Sequence, residues 1–146
     1  MDARGMFAGA CAMLALALPG CAQTGQPAQA DAARQRVVFQ VSDGDPGKWN
    51  LALNNARNVQ QDVGAKNVDI EIVAYGPGIG MLKKNSAVSQ RIDEATMSGM
   101  KVVACENTMH AQKLSKADML EGIGYVPAGV VEIMKKQQEG WAYVRP

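Results

Sequence analysis

Short apolar runs alternate with segments of helical periodicity along most of the chain. Runs rich in β-branched residues predict buried strands at 37–41, 67–75 and 101–105. Between these runs, apolar residues recur at spacings of three and four over 49–63 and again over 88–96. This spacing is typical of the buried face of an amphipathic helix. The alternation of strand and helix indicates an α/β protein.

Capping residues mark where these helices begin and end. Asp45 is expected to cap the first helix, with Pro46 in its first turn and Gly64 close to its end. Asn107 and Thr108 are expected to cap a short helix that follows the third strand.

The C-terminal part of the chain continues the same alternation. A fourth strand is predicted at 125–129, where Pro127 restricts it to an edge or to a strand start. A short helix at 130–138 and a final strand at 141–144 follow. Strands joined through helices favour parallel pairing and right-handed crossovers. We therefore predict a three-layer α/β/α sandwich with a mostly parallel sheet.

The first 30 residues have a different composition from the rest. The run from Met6 to Leu18 is small and apolar and carries no charge. It is shorter than the roughly 20 residues that span a bilayer, but it fits the apolar region of a secretory signal. Cleavage after Ala30 would follow an A-x-A site, whereas a lipoprotein-like box would leave Cys21 acylated. Both cleavage routes remain open. Both predict a periplasmic protein, soluble or lipid-anchored, with a single domain at 31–146.

Charge and cysteine content exclude several classes of protein. The chain has a formal net charge of +1, which gives no electrostatic footprint for nucleic acid. It has three cysteines, of which Cys11 and Cys21 fall in the leader. Cys105 is then the only cysteine of the domain, which excludes an internal disulfide there and leaves stability to packing.

Two other features of the sequence do not predict a nucleotide or metal site. The glycine-rich segment at 76–80 is predicted to be a loop. It lacks the G-x-G-x-x-G spacing of a dinucleotide fingerprint and the G-K-[ST] of a phosphate loop. His110 and Cys105 are the only histidine and cysteine of the domain, too few for a zinc site of ordinary spacing. Neither a metal nor a cofactor is predicted.

Cys105 is the most informative single residue. It ends the third predicted strand and precedes a helix, and sites in open α/β sheets form outside the carboxyl ends of strands. The start of a helix favours the thiolate, which is the nucleophilic form. A small buried apolar residue would have the same placement, so the position alone leaves both interpretations open.

Three segments of the chain, taken together with their order, resemble the DsrE/DsrF-like family. They are Gly99–Lys101 with VVACENTM around Cys105, the stretch Tyr125–Glu132, and the closing Gly140–Tyr143. The resemblance implies an α/β/α fold with a five-stranded parallel sheet. It also implies ring-like assembly as heterohexamers, homo-trimers or homo-hexamers.

Members of that family carry sulfur as a cysteine persulfide and pass it between proteins. Their sulfur-carrying cysteine follows the third strand, and Cys105 occupies the matching place. The resemblance therefore implies that Cys105 takes sulfur from a donor and passes it to an acceptor, either a protein or a small persulfide. We further expect Asn107 and Thr108 to hydrogen-bond the anionic sulfur, and Gly78 and Gly80 to form the opposite wall of the pocket.

The leader separates this chain from the cytoplasmic sulfur relays of the family. If the chain is exported, its relay partners must differ from theirs. The alternative function is a non-catalytic oligomeric binding or assembly module that keeps the fold and in which Cys105 is structural.

Overall fold

The computed structural model describes residues 34–146. The predictions for the leader, including the acylation of Cys21, lie outside these residues. None of the helices in 34–146 is both long and apolar enough to cross a membrane.

Five strands and four α-helices alternate along this part of the chain. In chain order they are β1 (Gln35–Val41), α1 (Pro46–Val63), β2 (Val68–Ala74), α2 (Ser89–Met97), β3 (Lys101–Cys105), α3 (Glu106–Ala111), β4 (Gly124–Val126), α4 (Gly129–Gln138) and β5 (Ala142–Val144). Every strand pairing is parallel, and the strands lie in the order β4-β3-β2-β1-β5. The predicted α/β/α fold with a parallel five-stranded sheet is confirmed.

The strand order places the helices on both faces of the sheet. From β1 to β4 the chain steps in one direction, so right-handed crossovers put α1 and α2 on one face. The step from β4 to β5 runs back past β1, which puts α4 on the opposite face. Two apolar clusters match this arrangement, because alternate residues of each strand face opposite sides. Phe39 and Ile72 belong to the larger cluster, whereas Val38 and Val73 pack with Ile133 of α4.

The first helix begins and ends where the sequence predicts. Asp45 accepts a hydrogen bond from the Gly47 N–H at 2.8 Å, and Pro46 is the first helical residue. Gly64 ends the helix with a positive φ of 89°, which favours glycine because it has no Cβ.

Two local predictions were wrong. The segment predicted as a glycine loop forms a 3₁₀ helix at Gly76–Leu82, since the Gly78 N–H can reach the carbonyl oxygens of Ser42 and Tyr75. The helix after β3 starts at Glu106 and has Cys105 as its N-cap, so Asn107 and Thr108 lie inside its first turn. The side chain of Thr108 is engaged instead by the backbone of Gly76.

A buried carboxylate anchors α4 to the sheet. Glu71 of β2 has no exposed surface, and its carboxylate lies 3.3 Å from the Lys136 ammonium group of α4 and 3.2 Å from that of Lys101. Lys136 also lies 3.5 Å from Glu132 and 4.5 Å above the Trp141 ring. Burial raises the pKa of Glu71, while the two ammonium groups act in the opposite direction. A buried carboxylate must keep such partners to stay compatible with an apolar interior.

We expect Lys136→Met to lower the free energy of unfolding by about 3 kcal/mol, because it leaves the buried Glu71 carboxylate without its nearly buried partner. Urea denaturation measures the change. Lys135→Met, at the exposed neighbouring position, is the matched control and should shift stability by less than about 0.5 kcal/mol. Equal losses in the two variants would show that the Glu71 ion pair does not anchor α4.

Candidate functional site

Cys105 lies where β3 passes directly into α3. It is the last residue of the strand and the N-cap of the helix. This position is the carboxyl edge of the parallel sheet, where sites of α/β proteins form. The residue is only 5% exposed, so its sulfur lies within the fold rather than on a solvated loop.

Groups from two helices lower the pKa of the Cys105 thiol. Burial on its own raises the pKa of a thiol, but here hydrogen bonds outweigh it and the net pKa of Cys105 is lowered. The donors are the Thr108 hydroxyl and the backbone N–H groups of Gly129, Thr108 and Asn107. A lowered pKa increases the fraction of nucleophilic thiolate at neutral pH.

The Thr108 hydroxyl is fixed by a contact with the segment after β2. Its oxygen accepts a hydrogen bond from the Gly76 N–H at 2.9 Å. The Gln112 side chain donates to the Gly76 carbonyl oxygen at 3.2 Å and ties the same residue to the end of α3. Gly76 has a φ of 52°, a conformation that glycine adopts without strain. The 3₁₀ helix after β2 therefore holds the Thr108 side chain in place through Gly76.

Gly129 permits the close approach of α4 to the thiol. A Cβ at this position would lie 3.0 Å from the Tyr75 Cβ and 3.3 Å from the Cys105 Cβ. A side chain would push α4 away from the sheet edge, and its first N–H group would leave the sulfur. Gly129 therefore contributes to the site through its backbone and through its small volume.

The predicted site residues separate into two groups. Asn107 and Thr108 follow Cys105 in α3, and both contribute to the lowering of its pKa. Asn107 acts through its backbone N–H group, which also donates to the Pro127 carbonyl oxygen at 3.1 Å. The contacts of the two glycines lie elsewhere. A Cβ on Gly78 would collide with the carbonyl group of Val41, and one on Gly80 would meet the Trp49 ring at 3.1 Å. These two glycines allow the 3₁₀ helix to pack against β1 and α1.

Gly76 and Gly129 were missed as parts of the site. Each contributes a backbone N–H group, which has no sequence signature of its own. The available signals were indirect: Gly76 lies two residues after the end of β2, and Gly129 opens a helix three residues after the end of an edge strand.

The groups that lower the pKa of Cys105 are all neutral. Stabilisation of the thiolate thus comes from oriented dipoles and hydrogen bonds rather than from an ion pair. Because the sulfur is buried, ions of the solvent do not reach it, and we expect the pKa of Cys105 to depend little on salt concentration. Within 34–146, no three side chains of the metal-ligating types come together, and His110 is exposed.

Fold and site together define a class of protein: an α/β/α domain that carries one stabilised thiol at the carboxyl edge of a parallel sheet. The sequence pattern of the DsrE/DsrF-like family matches residues 35–146. The chain belongs to the DsrE/DsrF-like family, as the resemblance in its sequence predicted. No curated protein matches the chain.

Solved structures of similar fold come from archaea and bacteria. MTH1491 of Methanobacterium thermoautotrophicum, a protein of unknown function, is 39% identical with a TM-score of 0.74; the match covers 77% of this chain and 99% of that one. The YchN protein of E. coli is 13% identical with a TM-score of 0.65, covering 77% of this chain and 99% of its own. BT1422 of Bacteroides thetaiotaomicron, also of unknown function, is 15% identical with a TM-score of 0.62, covering 80% and 99%. The last two show the fold alone.

Thr108→Val should slow alkylation of Cys105 by iodoacetamide several-fold at neutral pH. Valine has the shape of threonine but cannot donate to the sulfur, so the pKa of Cys105 rises and less thiolate is present. The rate measured against pH should move its midpoint to higher pH. Thr108→Ser keeps the hydroxyl and should retain the wild-type midpoint. If the valine variant folds and its midpoint does not move, the hydroxyl does not stabilise the thiolate.

Proposed function

We propose that this protein is a sulfur carrier that holds sulfur as a persulfide on Cys105. The observation that supports this most directly is the position of Cys105 at the end of β3 and at the N-cap of α3, with Gly129 of α4 packed beside it. Hydrogen bonding to neutral groups there lowers the pKa of the thiol. Membership of the DsrE/DsrF-like family supports the same function, because sulfur relay is the chemistry associated with that family.

The proposed step is an exchange at the outer sulfur of a donor persulfide. The Cys105 thiolate attacks that sulfur, a new S–S bond forms to Cys105, and the S–S bond of the donor breaks. The donor leaves as a thiolate, and the proton of its persulfide stays with the transferred sulfur. No electrons are gained or lost overall. Attack by an acceptor thiolate on the outer sulfur then returns Cys105 to its starting state.

The donors at Cys105 suit both states of this cycle. Before transfer they stabilise the thiolate that attacks. When an acceptor removes the outer sulfur, negative charge returns to the Cys105 sulfur, and the same N–H and O–H groups stabilise it as a leaving group. The protein thereby favours exchange in both directions, as a carrier requires.

Burial of the thiol supports the second candidate function, a binding or assembly module in which Cys105 is structural. With 5% exposure, the sulfur is reached only by a narrow donor or after a small opening of the surrounding chain. A structural cysteine would resist modification in the native state, whereas a carrier cysteine must react without unfolding.

Treatment of the native protein with inorganic polysulfide should add the mass of one or more sulfur atoms at Cys105, and a reductant should remove it. Peptide mass spectrometry locates the addition. Cys105→Ser is the control and should gain no reducible sulfur within the domain. Thr108→Val should gain sulfur more slowly than Thr108→Ser. A folded wild-type protein that takes up no sulfur and resists alkylation would favour the assembly module.

We further propose that the carrier acts outside the cytoplasm, on the basis of the apolar run from Met6 to Leu18. Its donor and acceptor would then be small persulfides and thiols, or proteins of that compartment. A free thiol there is exposed to oxidation, and the burial of Cys105 would protect it.

The intact mass of the protein, purified from cells that express the full chain, tests this location. Cleavage after Ala30 predicts a mature chain that begins at Asp31, and the lipoprotein route predicts a chain that begins at an acylated Cys21. Cys21→Ser distinguishes the two routes, because it would abolish only the second. An uncleaved chain recovered from the cytoplasmic fraction would contradict export.

A further inference from the structure

Polar side chains from neighbouring strands lie in a row at the carboxyl edge of the sheet. Cys105 ends β3, and one further step of the strand register places Tyr75 beside it and Ser42 beside Tyr75. The Tyr75 N–H group still donates to a carbonyl oxygen of β1 at 3.1 Å, so the ladder continues to this point. Arg145 directly follows β5, level with Gln40 of β1. The row therefore runs from the thiol to a guanidinium group.

The two ends of this row share the face of the sheet that α4 covers. A Cβ on the first residue of α4 would lie 3.0 Å from the Tyr75 Cβ and 3.3 Å from the Cys105 Cβ, so both side chains point toward that helix. On β5, Tyr143 pairs with Val38, which belongs to the apolar cluster beneath α4. Arg145 comes two residues after Tyr143 and thus lies on the same side.

The Arg145 guanidinium group is only loosely paired. It lies 3.6 Å from the Asp43 carboxylate, and the two side chains are 53% and 42% exposed. Hydrogen-bonded pairs of this kind are shorter, about 2.7–2.9 Å, so Arg145 keeps donors for a second carboxylate. Lys116 also reaches this edge, 3.7 Å from Glu106, but it stands over the Tyr125 ring, which packs on the opposite face. Arg145 is the better placed of these two cations for a ligand of Cys105.

The strand spacing sets the length of such a ligand. Neighbouring strands lie about 4.8 Å apart, so the ends of β3 and β1 are about 10 Å apart. Asp43 follows β1 and holds the Arg145 guanidinium group near that end. Burial raises the pKa of the Tyr75 phenol and Arg145 lowers it, which agrees with a guanidinium group close to this ring. An extended peptide covers about 3.3–3.6 Å per residue, so two or three residues bridge the distance.

We propose that the sulfur donor is a small peptide persulfide whose carboxylate binds Arg145 while its outer sulfur reaches Cys105. This inference rests on the carrier function proposed above and names the class of its donor. With 5% exposure, Cys105 admits only a narrow donor, which a peptide of this size is. Ser42 and Tyr75 lie between the two ends and offer hydroxyl groups to its amides. In the transfer the donor S–S bond breaks, the outer sulfur bonds to Cys105 with its proton, and the peptide leaves as a thiolate.

The test uses glutathione persulfide, a tripeptide persulfide with two carboxylates, and protein produced from the full chain. It measures the second-order rate constant of sulfur transfer to Cys105. Arg145→Gln should lower this constant about three- to fivefold, the range of an exposed ion pair. Asp43→Asn should raise it, because the donor no longer competes with that carboxylate. Arg57→Gln is the matched control: Arg57 is 49% exposed, pairs with Glu94 on the other face, and should leave the constant unchanged.

A second comparison needs no variant. Glutathione persulfide with both carboxylates esterified should react more slowly with the wild type than the free acid, and added salt should slow only the free acid. Equal rate constants for acid and ester would overturn the proposal, and so would a folded Arg145→Gln variant that keeps the wild-type constant. Sulfur uptake from inorganic polysulfide together with either result would overturn the donor class and leave the carrier function intact. Failure of every donor to load Cys105 would overturn both.

Discussion

The docking of α4 on the sheet is the contact on which the rest of the structure depends. It places Lys136 beside the fully buried Glu71 and Ile133 against the strand residues of its face. Burial of the Glu71 carboxylate costs free energy, and the attraction of the two ammonium groups offsets that cost only while they stay in place. The same docking brings Gly129 to the carboxyl edge of β3 and leaves the outer side of the helix apolar and open.

Neutral groups, and not a neighbouring cation, lower the pKa of the Cys105 thiol. Thr108 and the first N–H groups of α3 come from the segment that directly follows Cys105, but the Gly129 N–H comes from a helix on the opposite face of the sheet. The net pKa of Cys105 is lowered, because burial raises it but hydrogen bonding to these neutral groups lowers it. Because these donors are largely backbone groups, they form part of the fold itself and cost little further ordering when the thiolate forms.

Local sequence patterns predicted most of the fold for physical reasons. The strands are short β-branched runs, and α1 carries its own cap at Asp45 and its own stop at Gly64. Such signals act within a few residues and need no tertiary context. The 3₁₀ helix at Gly76–Leu82 was missed because its start depends on the carbonyl oxygen of Ser42, which follows β1 and is distant in sequence. The N-cap of α3 was misplaced because Thr108 bonds to Gly76 rather than to its own helix.

The sequence by itself determined the alternation of strands and helices, the end of β3 at Cys105, and the near-neutral net charge. It also supported the family through the segments around that cysteine. Only the tertiary structure decided which groups surround the sulfur, and it replaced Gly78 and Gly80 with Gly76 and Gly129. The reason is that backbone N–H groups are the same at every residue, so their convergence depends on how distant segments pack and not on which side chains they carry.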